Sequence, residues 1–143
     1  MEYSIKTGLL HQRKVVISVV WVFVLMNMIY ADILNTLKPG YLEGLEEASK
    51  NISGEMVLGF AVLMEIPIIM ILLSRVLRRK ANRIANLIAA PIAILWVILP
   101  AFLISEGGAT PLSYMFFATV EVIAMLFIMG YAWQWPKEKF LEI

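Results

Sequence analysis

The sequence predicts an all-α protein, a four-transmembrane-helix bundle with both termini cytoplasmic, on three observations. Of 143 residues, 61% are hydrophobic and 16% charged, and the mean hydropathy of +0.81 lies far to the apolar side of a soluble domain. The apolar residues fall into runs at about 15–34, 55–77, 84–104 and 112–133, each long enough for the ~20 residues that a bilayer core requires. Lysine and arginine gather on one side of these runs, which gives the bundle a direction. The chain therefore reads as a single integral domain over residues 1–143, multi-pass in the plasma membrane, with the lipid bilayer as its first partner.

The first run, VVISVVWVFVLMNMIYADIL, follows the basic cluster of MEYSIKTGLLHQRKVV. No small-residue cleavage site follows it, so the sequence predicts a retained span. Residues 35–54 form a polar connection with Pro39, Gly40 and Gly44. Within it, LEGLEEA predicts a short surface helix with Leu42, Leu45 and Ala48 on one side. Ser53 is placed as N-cap of the second span. A basic turn over 78–83 separates the second span from the third, in which Ala81, Ala85, Ala89 and Ala93 recur every four residues. Such a ridge of small side chains lets a neighbouring helix approach closely. Thr110 and Pro111 read as N-cap and first residue of the fourth span, and Tyr131, Trp133 and Trp135 as an aromatic belt at its exit.

Lys6, Arg13 and Lys14 precede the first span, Arg75, Arg78, Arg79, Lys80 and Arg83 surround the turn after the second, and Lys137 and Lys139 follow the fourth. Only Lys38 and Lys50 lie in the other connections, beside Glu43, Glu46, Glu47 and Glu106. This bias places the basic side, and both termini, in the cytoplasm. The same residues would attract anionic headgroups. With a net charge of +1, the chain predicts no nucleic-acid partner.

The chain has no cysteine and a single histidine, His11, outside the spans. Thiol redox chemistry, Cys-ligated metals, bis-histidine haem and the Glu-x-x-His di-iron pattern are thereby excluded. No cofactor and no metal are predicted; the nine methionines show no clustered Met-x-x-Met pattern and read as gap fillers.

What remains for chemistry is a set of polar residues within hydrocarbon. At a rise of 1.5 Å per residue, Glu65 lies about 15 Å and Glu121 about 13 Å below the outer boundary, so the two acids share a level. Asn27 lies about 10 Å, Trp96 about 12 Å and Asp32 about 3 Å from that boundary. No lysine or arginine occurs at this depth. Two carboxyls without a cation cannot both stay ionised at low dielectric, so the pair is expected to hold a proton at neutral pH. The candidate ligand- or proton-binding residues are Glu65, Glu121, Asn27, Trp96, Tyr30, Asp32 and Tyr114. Intramembrane acids mark proton relays, cation sites or acid–base pairs. The competing reading is polar packing, each acid bonded to Asn27, Tyr30, Tyr114 or a carbonyl freed by Pro67. Phe60-Ala61 before Glu65 echoes Phe117-Ala118 before Glu121, as expected if two related hairpins converge on one axis.

The runs MNMIYADIL, MEIPIIMILLSRVLRRKANRIANLI and FFATVEVIAMLFI resemble an uncharacterised prokaryotic family of small four-span proteins near the DoxX-like membrane proteins. The resemblance implies a four-helix membrane bundle and carries over no catalytic residue. The residues themselves lead to an outer-half pocket at Glu65 and Glu121 that binds or handles a small amphiphile or cation with proton coupling. The alternatives are a lipid- or sterol-modifying enzyme and a structural subunit of a membrane complex; whether the chain is an enzyme, and its oligomeric state, stay open at this point. The charge bias is directly testable: alkaline phosphatase inserted between residues 38 and 50 will be active, and inserted between 78 and 83 it will be silent.

Overall fold

Residues 2–104 and 112–135 are described in the computed structural model. No proline interrupts the polar lead-in, and the first helix accordingly starts well before the apolar run: α1 spans Glu2–Thr36. Gly40, at φ 75°, takes the left-handed turn that a residue with a Cβ resists. It delivers the chain into α2, Tyr41–Ser49, the short helix expected from LEGLEEA, with Leu42 and Leu45 exposed. Ser53 caps α3, Gly54–Val76, by accepting from the Met56 N–H at 3.3 Å. α4 is Arg79–Ile104 and α5 Leu112–Trp133. Thr110, Pro111 and Glu106 lie outside the described residues.

α1, α3, α4 and α5 are each long and apolar enough to cross a membrane. They pack in a ring, α1 on α3, α3 on α4, α4 on α5 and α5 back on α1. The basic turn is shorter than the sequence suggests. α3 ends at Val76, Leu77 donates back to the Leu73 carbonyl, and α4 starts at Arg79. Arginine, lysine and alanine are good helix formers, so most of the basic segment becomes the first turns of α4, and Asn82 and Asn86 come inside the bundle.

Two consequences follow at this basic end. Arg13 of α1 donates to the carbonyls of Tyr131 (3.4 Å) and Gln134 (3.3 Å), and Lys14 reaches the Arg75 carbonyl at 3.5 Å. Helices α5 and α3 both finish here, and their orphan carbonyls and negative dipole ends are met by cations from α1. Deeper in, a buried polar chain crosses the ring. Trp21 Nε1 donates to Asn86 Oδ1 at 2.7 Å, Asn86 Nδ2 to both oxygens of Asn82 (2.7 and 2.9 Å), and Asn82 Nδ2 to the Ser74 carbonyl at 2.6 Å. Ser18 adds a bond to the Ile71 carbonyl at 2.8 Å. Lipid cannot replace any of these partners.

The rest of the interior is small or aliphatic. Ala89, Ala90 and Ala93 are buried while Ala81 is exposed, so the alanine ridge serves helix approach only from its middle onward. Trp135 is buried rather than part of an exposed belt, whereas Trp133 is exposed, under the Arg83 guanidinium at 5.3 Å. Asn86→Leu will strand the Trp21 N–H and release Asn82, costing about 1–2 kcal/mol. Asn27→Ala, which removes only a bond from Asn27 Nδ2 to the Phe23 carbonyl of its own helix, will cost less in the same thermal unfolding measurement in detergent.

Candidate functional site

The two acids at one level have opposite surroundings. Glu121 is 4% exposed and lies on the face of α5 that carries Ala124, Met125, Ile128 and Ala132, so its stem enters the centre of the ring. Its Oε1 is buried with no hydrogen-bond partner among the described residues. Glu65 is exposed on the opposite side of α3 from its buried residues Pro67, Met70 and Ser74, and so faces the surroundings of the bundle.

The other acid toward the end of the ring opposite the basic turn is Asp32. Eleven positions after Trp21, it falls about 20° from it on the helical wheel of α1, at the edge of the inward face, where it is exposed. Tyr114 stands seven residues before Glu121, two turns along the same face of α5, and donates to the Val97 carbonyl at 2.6 Å. Asp32, Tyr114 and Glu121 all lie toward that end of the ring. Below Glu121 the ring is filled, because Ile17, Trp21, Val24, Met125 and Ile128 are fully buried there.

The other candidates sit elsewhere. Trp96 packs on Phe60 with ring centroids 5.5 Å apart. It lines a cavity of about 390 Å³ between α3 and α4 with Leu63, Ile92, Leu95, Ile98 and Leu99, a wholly aliphatic and aromatic lining suited to hydrocarbon. Asn27 is half-buried and bonded within α1, and Tyr30 is exposed. The echo between Phe60-Ala61 and Phe117-Ala118 does not extend to the acids, one facing out and the other in. Among the described residues no cluster of His, Cys, Asp or Glu is arranged to hold a metal.

Sequence reasoning missed Asn82, Asn86 and Trp21. The signal available was the four-residue spacing of the asparagines, which puts both on one face once the segment is helical. At the basic end, Arg79 Nη1 and Arg83 Nε are buried without an acceptor among the described residues.

The class so defined is a small polytopic membrane protein, a ring of four apolar helices around a buried carboxyl whose Oε1 has no partner among the described residues. Residues 7–142 match a family of unknown function, DUF6326, and the chain belongs to that family. Neither a curated protein nor a solved structure matches it. Because the chain lacks cysteine, the facing of the acids can be read by labelling. In detergent, at a dilution where the chain is monomeric, Glu65→Cys will react with a lipid-soluble maleimide, and Glu121→Cys will react at least tenfold more slowly.

Proposed function

We propose that this protein sits in the plasma membrane with both termini cytoplasmic and binds a small cation or amphiphile, with a coupled proton, at Glu121. The ligand reaches the site from the outer side, past Asp32 and Tyr114. The observation that carries this reading is the Glu121 carboxyl itself. It is buried at mid-span with an oxygen lacking any partner among the described residues, and no lysine or arginine occurs at its depth. A buried acid that has neither a cation nor a full set of hydrogen bonds is costly as packing and is the ordinary signature of a site that exchanges a proton or cation. Asp32 at the mouth, and Glu43, Glu46 and Glu55 on the same side, favour cations on approach. The likeness to DoxX-like proteins enters this reading as architecture alone and supplies no residue role.

The bilayer supplies the remaining partners. Phosphate oxygens of anionic lipids at the headgroup level complete the buried N–H groups of Arg79 and Arg83, beside the exposed Trp133. The closed floor beneath Glu121 favours a second reading, a one-sided lipid-modifying site with an acyl chain in the apolar cavity beside Trp96.

In liposomes enclosing a pH-sensitive dye, a gradient of tetraphenylphosphonium, a small amphiphilic cation, will drive proton movement through the wild-type protein. Glu121→Gln will reduce it at least tenfold, and Glu65→Gln will not. Accumulation of a lipid in Glu121→Gln cells, with no flux in either protein, would instead establish the lipid-modifying reading. If neutralising Glu121 changes neither flux nor lipid composition, the acid is packing and the proposal fails.

A further inference from the structure

Glu65 takes no part in the interior site, and its position makes a separate demand. It lies in the middle of α3, eleven residues from either end of Gly54–Val76, or about 16 Å at 1.5 Å per residue. The short glutamate stem cannot reach either headgroup layer from there. Hydrocarbon offers its carboxyl no hydrogen-bond partner.

The surface around it has a pattern. Leu58, Val62, Glu65, Ile69, Leu72 and Val76 are all exposed, and their separations alternate between four and three residues. That is the spacing of a left-handed helix–helix seam. Five of the positions are aliphatic, and the sixth is an acid at the centre, where one polar residue fixes the register of such a seam.

We propose that this face of α3 pairs with the same face of a second copy of this chain, forming a parallel two-fold dimer in which Glu65 hydrogen-bonds its own counterpart. The basic bias of the loops inserts every copy the same way up, so the two-fold axis runs along the membrane normal. On that axis each seam residue meets its equivalent at equal depth. Glu65 then faces another carboxyl, which can satisfy it without a cation through an O–H···O bond.

A contact with a different face of the chain fits less well. Thr119 is exposed, but its hydroxyl already donates to the Met115 carbonyl within its own helix at 2.7 Å. Tyr30 lies toward the outer end of α1, and lysine and arginine are absent from this depth. A head-to-tail contact would also leave a second open face on every copy, whereas the two-fold contact closes. The inference is independent of the role given to Glu121.

Because the chain lacks cysteine, single-cysteine variants of the full chain in native membranes test it directly. Under a membrane-permeant oxidant, Val62→Cys and Leu72→Cys will form disulfide-linked dimers, and Ile88→Cys and Ile123→Cys, exposed on α4 and α5, will not. In liposomes at fixed protein-to-lipid ratio, Glu65→Leu will lower the dimer fraction several-fold. Glu65→Gln, whose amide can pair with its own copy, will retain it. Cross-linking that is absent on α3, or equally strong on α4 and α5, overturns the proposal, as does a dimer fraction that Glu65→Leu leaves unchanged.

Discussion

The bundle depends on a short chain of buried hydrogen bonds, Trp21 to Asn86 to Asn82 to the Ser74 carbonyl. In a soluble protein the hydrophobic effect would press four apolar helices together. In lipid the surroundings are as apolar as the helices, and association rests on close packing and on polar groups that hydrocarbon cannot satisfy. The asparagine chain meets that requirement across three helices at once, including α1 and α4 on opposite corners of the ring. Nearby, Ala89, Ala90 and Ala93 remove the bulk that would hold α4 away from its neighbours.

The molecule is consequently tight at one end and loose at the other. At the basic end the asparagines, the Arg13 and Lys14 bonds and the large buried side chains Trp21, Met125 and Ile128 leave no passage. Toward the acidic end such ties are fewer: Asp32 is exposed, the half-buried Tyr114 joins α5 to α4 through the Val97 carbonyl, and the apolar cavity opens between α3 and α4. The Glu121 carboxyl, whose Oε1 has no partner among the described residues, lies where these regimes meet.

How much of this the sequence reveals follows from what each feature depends on. Span existence, the Ser53 cap and the α2 helix depend on local composition, and they read directly. The position of Glu65 and Glu121 along their helices depends on counting residues from a helix end, and that also reads. Their facing does not, because α3 and α5 are apolar almost all round and carry no polar stripe to say which side turns inward. The rotation of such a helix is set by fit to its neighbours, and so two acids at one level resolve into one core residue and one surface residue. Asn82 and Asn86 were hidden for a different reason. A basic segment next to a predicted turn reads as loop, and only the two-residue connection at Leu77 and Arg78 carries them into the interior of the bundle. Asp32 reads as shallow, and it is exposed there.

The bonds from Arg13 to the carbonyls of Tyr131 and Gln134 bear on how the protein is made. They join the first helix to the last, more than a hundred residues apart in the chain. A ribosome emits α1 long before its second neighbour in the ring exists. Pairing with α3 can begin early, but the α1–α5 side must stand open in the bilayer, with Arg13 held at the interface by lipid phosphates alone, until residue 134 has been synthesised. Closure of the ring is therefore a late, post-insertion event. During that interval Glu121 is not yet in the membrane, so the enclosed acid arrives with the helix that seals it in.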